Sequence, residues 1–352
     1  MPDVAIIQRF LPSRSRGGGG YFTHGLASTL VRRGHRVTVF SQDPAPAGAA
    51  YAVSIVPTAG RLAPLAFPFA LRQCDFRRFD VLHAQGDEQF IRRRDHPPVV
   101  RTMHGTALAE AWFNGVRGGS PKRLALHTYF YLLECLAVLR ADAVVTVSRH
   151  AGRFYPGAQT VIPNGIDLAA LSPDGSPKSA RPSILFIGEV DSRKRGRLLV
   201  DTYLRDVRTA IADAELWLVS PDRVEGPGIT WHGVVDDAAL ARLLRQAWIM
   251  CLPSAYEGFG RPYAEALAAG TTVVASPNPG ARDVLEDGKD GVLARDDDLA
   301  AALIRVLSNP AERAGLERRG LERAKAFGWD TVAAAYERVY DAVIEQARHR
   351  QS

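Results

Sequence analysis

The sequence predicts an α/β protein built from two doubly wound, Rossmann-like domains. Short apolar runs alternate with helix-forming segments along the whole chain, which is typical of parallel sheets covered by helices. With 352 residues, the chain is longer than one hydrophobic core usually serves. A Ser-, Pro- and Lys-rich stretch over 171–181 has the composition of a linker between two such halves.

The first half begins with a predicted strand over 3–8 and a loop over 9–20 that contains four consecutive glycines. This loop opens a helix predicted over 21–33. It does not fit the G-x-G-x-x-G pattern of dinucleotide sites, which argues against an NAD dehydrogenase. Further strands are predicted at 36–40, 51–56, 81–84, 99–103 and 143–148, and helices at 65–79 and 121–140.

The second half repeats the alternation of strands and helices. Its strands are predicted at 183–188, 216–220, 229–233, 248–252 and 271–275. Its helices are predicted at 236–246, 263–269, 299–307, 310–326 and 331–347. The acidic run 296–298 is expected to cap the helix that follows it rather than to bind a metal, because carboxylates suit helix N-termini.

The most informative stretch covers residues 253–276, directly after a predicted buried strand. Gly258 and Gly260 allow a tight loop, Pro262 suits the first turn of a helix, and Gly270 suits its end. Such a loop leaves free N–H groups at the positive end of a helix dipole. The stretch therefore predicts a site for a phosphate or diphosphate.

Two carboxylates accompany this loop. Glu257 precedes the predicted helix and Glu265 lies about one turn into it. Both would repel a diphosphate, but each can accept charge-assisted hydrogen bonds from neutral hydroxyls. A diphosphate flanked by hydroxyl acceptors indicates a nucleotide-sugar. Either glutamate alone could merely favour a helix start or solvate a loop, but the agreement of loop, proline and strands favours a site.

The segment E-G-F-G-R-P-Y-A-E-A places seven residues between Glu257 and Glu265, and it resembles the E-x7-E motif of glycosyltransferase family 4. The resemblance implies a retaining enzyme of the GT-B fold, whose two Rossmann-like domains face each other across a cleft. It also implies that Glu257 contacts the donor sugar and Glu265 the ribose. The amides of Gly258, Phe259 and Gly260 would then meet the diphosphate.

The segment P-N-G-I-D at 163–167 resembles the family's turn at the end of the first domain, although a plain Asn-Gly turn would also explain it. We predict an N-terminal acceptor-binding domain over 1–167 and a C-terminal nucleotide-sugar-binding domain over 168–330. The resemblance further implies that a C-terminal helix within 331–352 crosses back to the N-terminal domain.

A basic cluster follows the first strand of the second half and consists of Arg193, Lys194 and Arg195. Lys194 matches a family lysine that contacts the diphosphate. Glu189 occupies the position at which the family has an arginine that also contacts the diphosphate. Arg193 or Arg195 is therefore expected to replace that cation. A solvated helix start is the alternative, but cations oppose the helix dipole there unless an anion is bound.

His104 follows the predicted strand 99–103, at the end where open α/β sheets bind their ligands. It resembles the family histidine beside the reacting carbon of the donor. A lone histidine is more often structural, and His83, also at a strand end, is its rival. In the family the glycine loop lies near the diphosphate and the acceptor. Gly18 and Gly19 are therefore assigned to donor binding, with a plain flexible loop as the alternative.

Composition and charge limit the partners. The formal net charge is +6, with basic clusters such as Arg92-Arg93-Arg94, but acidic residues are interspersed throughout. We interpret the excess as a solvated surface that attracts an anionic nucleotide and expect no nucleic-acid partner. An anionic acceptor or peripheral contact with a membrane is the alternative. The three cysteines show no pairing pattern and no apolar run reaches the ~20 residues of a membrane span, so we expect a cytoplasmic protein.

The predicted reaction moves a sugar from a nucleotide-diphospho-sugar to an acceptor hydroxyl of a glycan, lipid or small metabolite. No cofactor and no obligatory metal are expected, because no D-x-D sequence lies in a convincing loop. His104, Glu257 and Lys194 are the predicted catalytic residues. Two alternatives stay open, namely a GT-B isomerase or phosphorylase and a noncatalytic nucleotide- or nucleic-acid-binding module. The sequence does not define the donor sugar, its base, the acceptor or the oligomeric state.

Overall fold

The computed structural model describes residues 1–12, 18–58, 63–92, 96–110, 120–155, 157 and 160–351. Arg93 and Arg94 of the basic cluster lie outside the described residues. The chain divides into two compact units: unit 1 comprises Met1–Gly165 and Trp329–Ser352, and unit 2 comprises Ile166–Gly328. The units therefore change at 165/166 and 328/329, where the predicted domain borders are 167/168 and 330/331.

Each unit contains one parallel sheet. The strands of unit 1 are β1 (Asp3–Ile7), β2 (Arg36–Ser41), β3 (Ala52–Ile55), β4 (Val81–Ala84), β5 (Val99–Met103), β6 (Ala143–Thr146) and β7 (Thr160–Val161), in the order β3-β2-β1-β4-β5-β6-β7. Those of unit 2 are β8 (Ser183–Ile187), β9 (Glu215–Val219), β10 (Ile229–Gly233), β11 (Ile249–Leu252), β12 (Thr272–Ala275) and β13 (Val292–Leu293), in the order β10-β9-β8-β11-β12-β13. Both orders are those of doubly wound sheets, so the prediction of two Rossmann-like domains is confirmed.

The helices cover both faces of the sheets. In chain order they are α1 (Gly18–Arg32), α2 (Ala63–Ala70), α3 (Ala107–Glu110), α4 (Pro121–Arg140), α5 (Arg149–Gly152), α6 (Leu168–Leu171), α7 (Gly196–Thr202), α8 (Arg208–Ala210), α9 (Asp237–Gln246), α10 (Arg261–Ala268), α11 (Pro279–Val284), α12 (Leu299–Ser308), α13 (Pro310–Ala324) and α14 (Trp329–Gln351). A π-helical turn, Tyr203–Val207, joins α7 to α8.

Two predicted boundaries and one predicted helix cap are wrong in instructive ways. α1 already begins at Gly18, so the last glycines of the predicted loop are helical. The helix predicted over 65–79 ends at Ala70 and continues only as a 3-10 turn, Leu71–Gln73. The acidic run does not cap α12 as expected, because the side chain of Asp298 accepts no capping hydrogen bond.

The core of unit 1 follows from the alternation of side chains along β1. Val4 and Ile6 point to one face and pack with residues of α1 and α14, whereas Ala5 and Ile7 point to the other face. All four are fully buried. A strand that is apolar on both faces belongs in the middle of a parallel sheet, which is where β1 lies.

A buried polar network ties α14 to the sheet of unit 1. The Nδ1 atom of His83 lies 2.7 Å from the hydroxyl of Tyr340, and its Nε2 atom lies 2.8 Å from Oγ1 of Thr102. Thr102 also meets the hydroxyl of Tyr336 at 2.9 Å. Burial lowers the pKa of His83 to about 3. This rival of His104 is therefore a fully buried structural histidine.

The neutral state of His83 predicts a pH dependence of stability. An unfolded histidine takes up a proton below about pH 6.5, whereas folded His83 stays neutral down to about pH 3. The free energy of unfolding should therefore decrease as the pH falls through this window, by up to about 1.4 kcal/mol per pH unit for this one site. Urea denaturation between pH 7 and 4.5 measures the slope.

The slope should become smaller in His83→Gln, because glutamine retains hydrogen-bonding capacity but does not titrate. The matched control is His349→Gln, which changes an exposed histidine near the end of α14. An identical slope in His83→Gln and the native chain would contradict this assignment.

The strand order reverses beside the first strand of each sheet. In unit 2 this happens between β8 and β11, which are neighbours although the chain first visits β9 and β10. The connections that leave these two strands diverge to opposite sides, and open sheets bind their ligands in the space so created. The loops after β8 and β11 are therefore the expected walls of a site.

Candidate active site

The loop after β11 and the start of α10 are held in place by a glycine and a buried tyrosine. Gly260 has φ +84°, and a Cβ atom there would lie 2.3 Å from Cδ2 of Tyr263. The Tyr263 hydroxyl donates to the carbonyl of Leu252 at 3.2 Å. α10 begins at Arg261 with Pro262 in its first turn. The predicted strand, loop and helix are thus all present.

The predicted catalytic carboxylate, Glu257, is only 7% exposed. Its Oε1 atom accepts a hydrogen bond from Oγ of Ser254 at 2.9 Å, and its Oε2 atom lies 3.2 Å from Nη1 of Arg193. Arg193 also donates to the carbonyl of Tyr256. These contacts fix the carboxylate at the carboxyl end of β11, and the arginine balances its charge.

Glu265 lies in the first turns of α10 and is likewise 7% exposed. Nε of Arg261 donates to its Oε1 atom at 2.6 Å. Burial raises the pKa of Glu265, and the charge of Arg261 opposes that rise. Both glutamates of the motif are therefore buried acids that pair with an arginine. The partner of Glu257 is Arg193, and the partner of Glu265 is Arg261.

Lys194 comes from the other wall of the site, the loop after β8. Its Nζ atom donates to the carbonyl of Ile187 at 3.0 Å. The side chain crosses Gly188, which has φ +137°, and a Cβ atom there would lie 2.2 Å from Cδ of Lys194. Burial lowers the pKa of Lys194, whereas the nearby charge of Glu257 raises it. Two of the predicted catalytic residues, Lys194 and Glu257, are thus close enough for their charges to interact.

Arg195 is engaged by the protein itself. Its Nη1 and Nη2 atoms lie 2.8 and 2.9 Å from the carboxylate of Asp296. Nη2 also donates to Oγ of Ser276 at 2.7 Å, and Nε donates to the carbonyl of Pro253 at 2.6 Å. Arg195 therefore joins the loops after β8, β11 and β12. Asp296, expected at a helix cap, is instead the acidic partner of this arginine.

The remaining predicted donor residues in the loop differ in accessibility. Phe259 is 4% exposed, and its ring packs edge-to-face on Phe327 at 5.6 Å. Its side chain is part of the core, so a ligand would meet its backbone. Gly258 is partly exposed, whereas Gly260 is buried.

In unit 1, His104 directly follows β5 and its ring contacts α1. Nε2 of His104 lies 2.9 Å from Oε1 of Gln85, and the ring meets Phe22 edge-to-face at 4.7 Å. Burial lowers the pKa of His104 to about 4, so its imidazole is neutral at pH 7. Gly18 and Gly19 lie in the first turn of α1, the helix that carries Phe22, and Gly18 is exposed.

Sequence reasoning missed several residues that support the site. Asn278 caps α11 and donates from Nδ2 to the carbonyl of Ser254 at 3.1 Å and to the hydroxyl of Tyr263 at 3.0 Å. Its place before Pro279 is a recognisable helix start. Gln85 could have been found as well, because β4 and β5 are neighbours and the residues after them meet.

The described residues contain no group of three or more His, Cys, Asp or Glu side chains placed to hold a metal ion. Cys74, Cys135 and Cys251 are free thiols. None of the described helices combines the length and the apolar character needed to span a bilayer.

Two family models match this chain. One is described as Glycosyltransferase Family 4 and matches residues 16–170, and the other is described as Glycosyl transferases group 1 and matches residues 181–309. A phosphatidyl-myo-inositol mannosyltransferase of Mycolicibacterium smegmatis is 31% identical over 290 residues, which cover 75% of this chain and 72% of the relative. Its counterpart from Mycobacterium leprae is 29% identical and covers 92% of this chain and 93% of its own.

Solved structures show the same architecture. A sucrose-phosphate synthase from Thermosynechococcus elongatus matches with a TM-score of 0.79 at 21% identity, covering 98% of this chain and 100% of that one. Anabaena HepE in complex with UDP-glucose matches with a TM-score of 0.71 at 16% identity, covering 97% of this chain and 100% of that one. Taken with the E-x7-E segment, which runs from the loop after β11 into α10, these matches show that the chain belongs to glycosyltransferase family 4 and is a glycosyltransferase of the GT-B fold.

Proposed function

We propose that this enzyme transfers a hexose from a nucleotide-diphospho-sugar to an acceptor hydroxyl with retention of the anomeric configuration. The observation that carries the proposal is the link between the loops after β8 and β11, where the strand order reverses: Arg193, the neighbour of Lys194, lies 3.2 Å from Glu257, and the charge of Glu257 acts on Lys194. A cation and a hydroxyl-accepting carboxylate at this place suit the two halves of an activated sugar.

Lys194 and the backbone amides of residues 258–260 are proposed to hold the diphosphate. Departure of the nucleotide builds negative charge on its terminal phosphate, and donors already fixed in place stabilise that charge. The start of α10 adds the positive end of a helix dipole. Arg193 is our candidate for the cation that replaces the family arginine at the Glu189 position. Its side chain is 44% exposed and already lies beside Glu257.

The two glutamates are proposed to hold the sugar and the ribose. Ionised Glu257 accepts hydrogen bonds from sugar hydroxyls while Ser254 and Arg193 fix its orientation. Glu265, one helical turn further, accepts from the ribose hydroxyls. Carboxylates that accept from hydroxyls form hydrogen bonds roughly twice as strong as those between neutral groups.

His104 is proposed to act as a neutral group. With a pKa of about 4, its imidazole orients or polarises the donor sugar through a hydrogen bond rather than as a cation. The contact between Nε2 and Gln85 Oε1 fixes the orientation of the imidazole ring. For retention, the acceptor hydroxyl attacks the face from which the diphosphate leaves, and a phosphate oxygen takes its proton.

The transferred sugar class rests on the relatives. Those named above include mannosyltransferases and a protein that binds UDP-glucose, so a hexose is the proposed cargo. The proposed acceptor is a free hydroxyl on a lipid, glycan or small metabolite. No obligatory metal is proposed.

A panel of UDP-, GDP-, ADP- and dTDP-hexoses tests the proposal by thermal shift. A donor present at 100 times its dissociation constant should stabilise the folded chain by ~2.7 kcal/mol. NMR of the product of the stabilising donor then reports the anomeric configuration. An inverted product would overturn retention. Extensive turnover without any acceptor would instead indicate an isomerase or a phosphorylase.

The Arg195 cluster predicts a positioning effect. Asp296→Ala should release the guanidinium that joins the loops after β8, β11 and β12, and kcat/KM should fall about tenfold because small displacements of reacting groups are costly. The control is Asp297→Ala, which removes the neighbouring exposed acid. Steady-state kinetics of both variants give the comparison, and equal values would show that the cluster does not position the site.

A further inference from the structure

The loop that carries His104 is held by two side chains from outside it. Glu134 lies in α4, and its Oε2 atom accepts a hydrogen bond from the backbone N–H of Ala107 at 3.0 Å. The same oxygen accepts from the hydroxyl of Tyr155 at 2.6 Å. That hydroxyl also lies 3.4 Å from the carbonyl oxygen of Gly105. Glu134 and Tyr155 therefore fix the backbone directly after His104.

The protonation states of the two side chains suit a firm support. Burial raises the pKa of Tyr155, and the charge of Glu134 adds to that rise, so the hydroxyl keeps its proton and donates it. Burial also raises the pKa of Glu134, whereas the hydrogen bonds from Tyr155 and Ala107 lower it. Removing a carboxylate from water is costly unless hydrogen bonds compensate for the lost solvation. Here both compensating bonds come from the loop and its neighbour Tyr155.

Capping of α3 accounts for only part of this arrangement. The local cap is Thr106, whose Oγ1 atom accepts from the N–H of Leu108 at 3.1 Å. Glu134 reaches the loop from 27 residues further along the chain, and Tyr155 follows α5. Two side chains from separate elements thus converge on the short loop 105–107. Such convergence restrains the loop as a whole and not only the first turn of the helix.

The ring of His104 is restrained from two other directions. Its Nε2 atom lies 2.9 Å from Oε1 of Gln85, which follows β4, and its face meets Phe22 of α1 at 4.7 Å. These contacts hold the imidazole, whereas those of Glu134 and Tyr155 hold the backbone from which it projects. Side chains that act in catalysis need such a supporting layer, since a misplacement of about 1 Å can cost a factor of about 100 in rate.

We propose that Glu134 and Tyr155 are positioning residues that hold His104 in place for sugar transfer. Neither side chain touches the donor in this role, because each acts through the backbone of the loop after β5. The inference rests on the proposed function of His104 and adds the support on which that function depends.

The position of His104 can be observed without any substrate. In protein labelled with ¹⁵N-histidine, the ring signals of His104 are identified by their loss in His104→Ala. They should shift in Glu134→Leu and in Tyr155→Phe. They should keep their native positions in Tyr131→Phe, the matched control, which removes a 3.1 Å hydrogen bond from α4 to the carbonyl of Phe154. Native ring signals in folded Glu134→Leu and Tyr155→Phe would overturn the proposal.

The same variants should lower kcat more than they lower the affinity for the donor. The rate is followed as nucleoside diphosphate released from the hexose donor that stabilises the chain in the thermal-shift panel. Glu134→Leu should reduce kcat at least about tenfold, because a displaced catalytic group is costly. Glu134→Gln retains an oxygen that can accept from Ala107 and should keep more activity than Glu134→Leu. Donor affinity, measured by calorimetric titration, should change little.

A double-mutant cycle with His104→Ala decides whether the effect passes through the histidine. If it does, Glu134→Leu should change kcat less than about twofold once His104 is alanine, because residues that act as a unit are not additive. An equal loss in both backgrounds would overturn the positioning role and leave the transfer reaction intact. Native kcat in His104→Ala would overturn it too, and would also remove His104 from the proposed mechanism.

Tyr155→Phe provides the same cycle if Glu134→Leu does not fold. Phenylalanine keeps the ring that packs with Met103 and Val138, so only the hydroxyl is lost. Thermal denaturation shows which variants are folded. A folded Tyr155→Phe with the native kcat and native His104 signals would contradict the proposal.

Discussion

Lys194→Met is expected to reduce kcat by about 10²–10³-fold, the loss typical when one fixed donor to a developing oxyanion is removed. Methionine keeps a side chain of similar length over Gly188, so the path of the loop after β8 is preserved. The missing charge is needed most when the diphosphate leaves, so kcat should fall more than the affinity for the donor. Single-turnover kinetics and calorimetric titration of the donor measure the two effects separately.

Two further variants serve as controls for Lys194→Met. Arg197→Met removes a cation three residues further along, which is 51% exposed and paired with Asp191, and it should leave kcat within about twofold because surface charges contribute little. Lys194→Arg restores the charge but not the compact ammonium group, so partial activity is expected. Native kcat in Lys194→Met would remove this lysine from the proposed chemistry.

Glu257→Gln should lower kcat/KM by about 10²-fold. The amide retains an oxygen that can accept from Ser254, but it loses the charge that strengthens hydrogen bonds from sugar hydroxyls and that balances Arg193. A hydrogen bond to a charged group contributes about 1.5–3 kcal/mol, and an unbalanced arginine beside the site adds to the loss. Initial rates over a range of donor concentrations provide the measurement.

Glu286→Gln is the matched control for this change, since that carboxylate is 43% exposed and belongs to the same unit. Thermal denaturation of both variants shows whether the loop after β11 remains folded. If Glu257→Gln were folded, bound the donor and turned over at the native rate, then the carboxylate would have no part in holding the sugar.

The sequence predicted the local parts of the candidate site well. The strand, glycine loop and helix around Glu257 depend on residues close together in the chain, and such patterns are visible without a structure. The loop that leaves β8 and contains Lys194 was placed by the same kind of local pattern. The pattern could not predict which residue each of these side chains would contact.

The misses concern contacts over long sequence distances. Arg195 pairs with Asp296, 101 residues further on, and His83 bonds to Tyr340, 257 residues further on. No local periodicity records such pairs. The glycines in the first turn of α1 show another limit: a Cβ atom on Gly20 would lie 2.8 Å from the carbonyl oxygen of Phe10, so close packing and not flexibility requires glycine there.

The discontinuity of unit 1 has a consequence for biosynthesis. Ribosomes release the chain from its N-terminus, yet Tyr336 and Tyr340, which complete the first core, lie beyond the whole of unit 2. Unit 2 can therefore finish folding while the core of unit 1 is still incomplete. Chaperones would be expected to bind unit 1 in this state. For the same reason, a nonsense codon shortly after Gly328 would leave unit 1 without α14, and it would leave unit 2 complete.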